Sequence, residues 1–403
     1  EFEDQLIRGS LVLVPFGTGR QPVRAFVVEL LDDLPEGVPA DSIREIHQLV
    51  SGPPVVTGEQ LQLALEMRRR TYCSTADALK AMVPPTVLSA RGRSVLAARL
   101  SDPEEAAELL DSDGLRSMKQ VRVIELLLEH ESAPCMEIRQ AAGVSQSVIS
   151  ALAKKGILTL FKKRQERQLP AEDTGSDQPP VLTKEQGEAV ETIREAAGAA
   201  QPGKLKELLL FGITGSGKTE VYLRAAQAVL DRGRQVLILV PEIALTPQMT
   251  RRLTSRFGQR VAILHSRLTP AERYETWRRV LAQEIPIVVG ARSAVFAPLK
   301  SIGLIVIDEE QESSYKAEMK PRYYAPDIAR IRAILNGAVL VLGSATPQVA
   351  SYRRALEGPS SLLCLPDRIG ERGLAEVEVV DMRREFARGN LSFFSRSLLE
   401  CME

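Results

Sequence analysis

A chain of 403 residues exceeds one ordinary domain, so two to four domains are expected. Hydrophobic residues at 44% and charged residues at 26% give the composition of a folded globular protein and argue against disorder. The 52 basic and 52 acidic side chains cancel, which excludes a generally basic surface, so any affinity for nucleic acid must come from local clusters.

Cys73, Cys135, Cys364 and Cys401 lie far apart with no Cys-x-x-Cys pair. That argues against a zinc site or a disulfide framework in this chain and fits a reducing compartment. The opening Glu1-Phe2-Glu3-Asp4 is acidic and has no apolar signal core. No run approaches the ~18 apolar residues of a membrane span, so a cytoplasmic protein is expected. The start at Glu1 rather than Met is read as lying downstream of the native start.

In chain order, residues 11–17 and 25–30 read as strands flanking a turn-rich Gly17-Thr18-Gly19-Arg20-Gln21-Pro22. A helix is expected over 57–72, with Leu61, Leu65 and Met67 on one face, before Pro84-Pro85 breaks the pattern. This defines a first, β-rich domain over 1–85. After a connector, Val121, Ile124, Leu127 and Leu128 recur at helical spacing. A short helix then ends at Gly143, and Ser145 is placed to cap a second helix over 146–155. Residues 157–161 read as a strand. Helix, tight turn, helix and β-ribbon is the order of a winged helix-turn-helix, assigned to 86–168 with its connector. Lys154, Lys155, Lys162, Lys163, Arg164 and Arg167 cluster there against Glu166 alone. In a neutral protein such a cluster favours binding to DNA backbone, the alternative being ordinary solvated surface.

Residues 169–180 read as a linker. Over 181–403, apolar runs at 208–211, 236–240, 261–264, 287–289, 304–307 and 339–342 alternate with amphipathic helices. The pattern predicts an α/β lobe with a parallel sheet covered on both faces.

The chemistry concentrates in that lobe. Gly212-Ile213-Thr214-Gly215-Ser216-Gly217-Lys218-Thr219 is a complete phosphate loop behind a strand. Its backbone N–H groups and the following helix N-terminus suit phosphate oxygens. Lys218 is expected to neutralise the β- and γ-phosphates and Thr219 to hold Mg²⁺. The run at 304–307 delivers Asp308 and Glu309, followed by Glu310 and Gln311, to a strand's carboxyl end. There Asp308 would orient Mg²⁺ and Glu309 would act as general base toward water. Gly343-Ser344-Ala345-Thr346-Pro347 follows a further strand, and its hydroxyls suit coupling to a moving neighbour. Phosphate loop, Asp-Glu-x-x box and Ser-Ala-Thr in this order reproduce the superfamily 2 helicase pattern. A phosphate-loop kinase or transporter ATPase leaves the winged helix unexplained.

Longer strings narrow the resemblance. Pro241-Glu242-Ile243-Ala244-Leu245-Thr246-Pro247-Gln248, Leu264-His265-Ser266, Gly290-Ala291-Arg292-Ser293-Ala294-Val295-Phe296-Ala297-Pro298 and the acid box through Lys316 resemble the primosomal protein N′ (PriA) family of replication-restart helicases. Residues 14–17 resemble a strand of that family's N-terminal DNA-binding domain. The expected architecture is therefore multidomain: a small β-rich DNA-binding domain, a winged helix-turn-helix, then a RecA-like phosphate-loop lobe.

The resemblance implies an ATP-dependent DNA helicase, 3′ to 5′, acting at stalled or branched forks and assembling the primosome. Its implied partners are fork and single-stranded DNA, primosome proteins and single-strand-binding protein. The alternative is a DNA-structure-binding loader with little hydrolysis. Gln186, in Leu182-Thr183-Lys184-Glu185-Gln186, would read adenine. Thr246, Gln248, Arg292 and Ser293 would contact single-stranded DNA.

Gln311 stands where the family has His. Tyr324 and Pro326 stand for His and Arg in its aromatic-rich loop. In that loop Tyr315, Tyr323 and Tyr324, beside Lys316, Lys320 and Arg322, suggest base stacking and phosphate contact, against the alternative of packing. The second motor lobe and a zinc-binding insertion are expected beyond Glu403, so the 403 residues alone are expected to unwind almost nothing. His47 and His130 have no ligand set, while His265 belongs to a family string. Arg251, Arg252, Arg256 and Arg260 run along a helix, and their plain reading is a solvated face.

Overall fold

The computed structural model describes residues 5–17, 21–34, 36–39, 42–50, 53–88, 94–111, 117–129, 132–164, 179–358, 360–369 and 377–402. His130, Glu166, Arg167 and residues 169–178 of the expected linker lie outside these, and so do the side chains of Lys162, Lys163 and Arg164.

At the front, β1 (Leu11–Val14) pairs antiparallel with β2 (Val23–Phe26) and β3 (Gln48–Leu49), forming a three-stranded sheet of order β2-β1-β3. Next come α1 (Gly58–Thr71), α2 (Thr75–Met82) and α3 (Pro85–Leu88). Thr57 and Gln60 close a reciprocal capping box at the start of α1, satisfying two N–H groups that the helix itself leaves free. Leu61 and Met67 are buried as expected, but Leu65 faces solvent and Leu63 is buried in its place. The reason is packing on two sides, since α1 lies against α2 and also against the α/β lobe that follows.

The winged helix is built from β4 (Ser94–Leu100), α4 (Pro103–Asp111), α5 (Met118–Glu129), β5 (Ala133–Pro134), α6 (Cys135–Ala142), α7 (Gln146–Lys154) and β6 (Leu158–Arg164). Its own core gathers Ala98, Ile124, Leu127, Ile138, Ile149, Leu152 and Leu158. Leu128 is exposed, and Val123 takes its expected place in the core. Ser145 stands at the start of α7, but its hydroxyl bonds Ser147 rather than capping the helix. The strand paired with β6 in the wing is β4, antiparallel, with Val95 opposite Lys163 and Leu96 opposite Lys162.

The α/β lobe runs α8 (Lys184–Ala199), β7 (Lys206–Gly212), α9 (Lys218–Leu230), β8 (Gln235–Leu239), α10 (Pro247–Phe257), β9 (Val261–Leu264), α11 (Pro270–Leu281), β10 (Ile287–Gly290), β11 (Ile302–Ile307), α12 (Ala325–Asn336), β12 (Val339–Ser344), α13 (Val349–Glu357) and β13 (Ser360–Leu365). Two short helices, α14 (Met382–Ala387) and α15 (Arg396–Met402), follow. Seven strands form one parallel sheet of order β13-β7-β12-β11-β8-β10-β9.

Alternation along the strands divides the core. Leu208, Leu210, Ile238, Val306 and Val341 pack on one face with α8 and α9. Leu209, Leu237, Ile305, Ile307 and Leu340 pack on the other with α12, in a cluster that also contains Leu63, Met67, Leu79 and Met82 from α1 and α2. That junction carries polar bonds as well. Gln60 Nε2 donates to the Phe296 carbonyl at 2.9 Å. The fully buried Arg332 donates to both carboxylate oxygens of Glu59 at 2.8 and 2.9 Å, and to the Val295 and Ala297 carbonyls. An arginine with no exposure requires such pairing, because an uncompensated buried charge is strongly destabilising.

Candidate nucleotide site and the loops beside it

The strand order explains why the expected residues meet. β7, β12 and β11 are neighbours, so their carboxyl ends bring the phosphate loop, Ser344 and Asp308 side by side. Gly217 adopts φ 82° ahead of α9, a conformation natural to glycine. A Cβ there would also lie 2.5 Å from Gln186 Nε2 and 2.4 Å from Ile369 Cδ1. The loop is thus walled by two side chains, and it is tied down by bonds from Gln186 Nε2 to the Ser216 carbonyl (2.8 Å) and from the Ile369 N–H to the Gly215 carbonyl (3.0 Å). Gln186 Oε1 meanwhile accepts from the Thr183 N–H in a capping box that opens α8.

Lys218, almost fully buried, donates from Nζ to the Gly212 carbonyl at 2.8 Å. The Ser216 hydroxyl is buried without a hydrogen-bond partner. An unpaired buried donor in a phosphate loop at a helix N-terminus fits a phosphate oxygen, which can accept from it. Thr214 and Gly215 are exposed at the mouth, and Thr219 lies half-buried on the first turn of α9.

From Lys218 a polar chain crosses to the Ser-Ala-Thr segment. Lys218 Nζ is 3.9 Å from Glu309 Oε1. Gln311 Nε2 donates to Glu309 Oε2 at 2.9 Å, Ser344 Oγ donates to Gln311 Oε1 at 2.6 Å, and the Thr346 N–H donates to Ser344 Oγ at 2.9 Å. Gln311 therefore spans the gap with one donor and one acceptor. Glu309 has φ 46°, a left-handed conformation rare for a residue with a side chain, and such strain concentrates at functional positions. Its neighbour Glu310 is buried and holds the far side, accepting from the Gln348 N–H (2.7 Å) and the Ser351 hydroxyl (3.2 Å).

Desolvation and the adjacent Glu309 charge push the Asp308 carboxyl up to about 6, although the Tyr222 hydroxyl and Lys218 oppose the shift. The folded metal-free chain therefore holds a proton that the unfolded chain has lost between roughly pH 4 and 6. Stability falls as pH rises through that window, and the full penalty stands above it. Asp308→Asn should stabilise the metal-free protein by ~2–3 kcal/mol at pH 7 and by almost nothing at pH 4. Urea unfolding at the two pH values checks this, and an equal gain at both would contradict it.

The expected nucleic-acid residues line the same end of the sheet. Thr246 caps α10, accepting from the Met249 N–H, and Gln248 is exposed on its first turn. Ser293 is exposed after β10, while Arg292 donates to the Ser314 and Lys316 carbonyls. Lys316, Lys320 and Arg322 are exposed.

Two tyrosines differ from the stacking role expected of them. Tyr315 is fully buried and its hydroxyl donates to the Asp308 carbonyl at 2.7 Å, so in this structure its ring offers no face to a base. Tyr323 packs edge-on against Phe296 at 4.9 Å between ring centres. The loop folds back under the acid box, which its polar, basic composition did not disclose. Of the α10 arginines, Arg252 and Arg256 bind the buried Glu220 of α9 and tie α10 to the helix that follows the phosphate loop. They do not form a merely solvated face.

Among the described residues no helix is long and apolar enough to cross a membrane, and no group of three or more His, Cys, Asp or Glu is arranged to hold a metal ion.

A parallel sheet with a phosphate loop, acid box and Ser-Ala-Thr at adjoining strand ends defines the first motor lobe of a helicase, and the DEAD/DEAH box helicase family model matches residues 183–355. A model of a 3′ DNA-binding domain (3′BD) matches residues 1–84. The chain is 33% identical over 461 residues to replication restart protein PriA of Bacillus subtilis (strain 168), covering 98% of this chain and 56% of that protein. It is 30% identical over 416 residues to PriA of Chlamydia muridarum, covering 100% of this chain and 54% of the relative. Identity reaches 43% over 267 residues with PriA of Synechocystis, covering 65% of this chain and 31% of the relative. These matches place the chain in the PriA replication-restart family. It spans about half the length of the relatives that match it from end to end.

Proposed function

We propose that the protein is an ATP-dependent DNA helicase that acts at stalled or branched replication forks and promotes replication restart. The observation that carries this reading is the continuous chain Lys218–Glu309–Gln311–Ser344–Thr346, which joins the phosphate loop to the segment expected to couple hydrolysis to motion. A loader indifferent to hydrolysis has no need of such a chain.

The loop N–H groups, the Ser216 hydroxyl and Lys218 hold the triphosphate, with Gln186 beside the loop on the adenine side. Thr219 and Asp308 would hold Mg²⁺, which supplies charge neutralisation at the phosphate oxygens. Glu309 takes a proton from the attacking water as its oxygen bonds the γ-phosphorus and the bond to ADP breaks. Because Gln311 grips the same carboxylate, the position of Ser344 and Thr346 is felt at the base. Gln311 cannot titrate where the family has His, yet here it donates and accepts in one span.

DNA would cross the carboxyl ends of β8 and β10, contacting Thr246, Gln248, Arg292 and Ser293, with Lys316 and Arg322 on its phosphates. Unwinding 3′ to 5′, primosome assembly, single-strand-binding protein as partner and zinc elsewhere in the full-length protein all belong to this proposal. Residues 1–403 taken alone should bind nucleotide and DNA but turn over feebly. In phosphate-loop enzymes an arginine brought to the γ-phosphate contributes ~10³–10⁵ in rate, and in a two-lobed motor it comes from the second lobe. A strand-displacement assay on the native-length protein with a forked substrate and ATP tests the helicase reading. Fork binding without displacement would favour the loader.

The wing is proposed to grip DNA backbone. Replacing Lys162, Lys163 and Arg164 with Ala should weaken binding equally for all base sequences. The plot of log affinity against log salt should flatten by about one unit per lost phosphate contact. An unchanged slope would return the cluster to solvated surface.

A further inference from the structure

Tyr222 belongs to none of the motifs that drew attention to the lobe. It sits on α9 one turn beyond Lys218 and reads in sequence as a core aromatic. Its ring is 2% exposed, but its hydroxyl is not spent on packing, for it donates to Asp308 Oδ1 at 3.0 Å across 86 residues of sequence. The approach has a steric condition. A Cβ on Gly343 would lie 1.6 Å from the Tyr222 oxygen, 2.8 Å from the ring carbon bearing it and 3.3 Å from Asp308 Oδ1. Since φ at Gly343 is not among the left-handed glycines, the glycine that opens the Gly-Ser-Ala-Thr segment is needed there for space rather than for backbone freedom.

Asp308 is thus held at two points. Tyr315 binds its main-chain carbonyl from the side of the acid-box loop, and Tyr222 binds one side-chain oxygen from the phosphate-loop helix. In this contact the phenol O–H is the donor and the carboxylate oxygen the acceptor.

We propose that Tyr222 is a positioning residue for the metal: its hydroxyl fixes Oδ1 of Asp308 so that Oδ2 faces Mg²⁺, and Gly343 leaves the room this requires. The proposal rests on the reading of Asp308 as the Mg²⁺-orienting acid.

The test uses native-length protein and a fluorescent, non-hydrolysable ATP analogue titrated at a series of Mg²⁺ concentrations and in excess chelator. Tyr222→Phe keeps the ring and should raise the half-saturating Mg²⁺ concentration roughly ten- to hundredfold, the scale of one lost hydrogen bond to a charged group. Affinity in chelator should not change, and excess Mg²⁺ should restore most of the turnover. Gly343→Ala should shift the metal dependence in the same direction. Together the two substitutions should fall short of the product of their separate effects, because both act on one contact. If Tyr222→Phe lowers the unfolding temperature but leaves the Mg²⁺ dependence untouched, the hydroxyl only packs and the proposal is wrong. If the parent itself binds nucleotide without regard to Mg²⁺, the assignment of Asp308 fails first and takes this inference with it.

Discussion

Lys218→Ala is expected to abolish ATP hydrolysis by the native-length protein and to weaken nucleotide binding by ~2–3 kcal/mol, the worth of charge-assisted bonds to phosphate. The loop itself should survive the change. Its shape is held by Gln186 on the Ser216 carbonyl and by the Ile369 N–H on the Gly215 carbonyl, neither of which involves the lysine. What disappears is the ammonium that bonds the Gly212 carbonyl and lies 3.9 Å from Glu309. DNA binding by the front domains should remain, because the wing and the three-stranded sheet lie outside the motor sheet. Turnover and nucleotide titration on the purified variant check the pair of effects, and unchanged turnover would remove the phosphate-loop assignment.

Glu309→Gln should separate chemistry from binding. The amide keeps the volume of the carboxylate, but it cannot accept the proton of the attacking water. Turnover should drop by roughly two or more decades while ATP still binds. The structure adds a second consequence. Gln311 Nε2 now donates to Glu309 Oε2, and Ser344 donates to the other end of Gln311. A glutamine at 309 can still offer its carbonyl oxygen to Gln311, so the link to Ser344 should persist and the variant should be trapped with nucleotide bound. Equilibrium binding together with single-turnover hydrolysis measures both. Loss of ATP affinity in step with turnover would show that the acid also holds metal or phosphate.

Much of this was legible in the sequence because it is local. Each apolar run named from 208 to 342 coincides with a strand of the parallel sheet, since buried parallel strands read as continuous Val, Ile and Leu. What local pattern could not supply was adjacency. The order β7-β12-β11, which brings Lys218, Asp308 and Ser344 together, is a property of strand pairing across the chain. β13 escaped notice because Ser360-Ser361-Leu362-Leu363-Cys364-Leu365 is a partly polar edge strand. β4 escaped because its Ala- and Leu-containing run shows no alternation. Tyr315 shows the opposite error. Basic neighbours suggested a base-stacking ring, whereas the ring is buried and its hydroxyl donates to the Asp308 carbonyl. The left-handed Glu309, Tyr222 with its glycine partner, and the Arg332–Glu59 pair joining α1 to the motor all depend on contacts between distant residues. No spacing rule marks them.

DNA-stimulated ATP hydrolysis by the native-length protein is the most direct test of the central proposal, which is that one polar chain connects phosphate loop, acid box and Ser-Ala-Thr segment in an ATP-driven motor that DNA stimulates. The account predicts slow turnover without DNA and a steep rise with single-stranded or forked DNA, a rise that depends on Lys218 and Glu309. Hydrolysis that proceeds at the same rate with and without DNA, or that persists in Lys218→Ala, would contradict it.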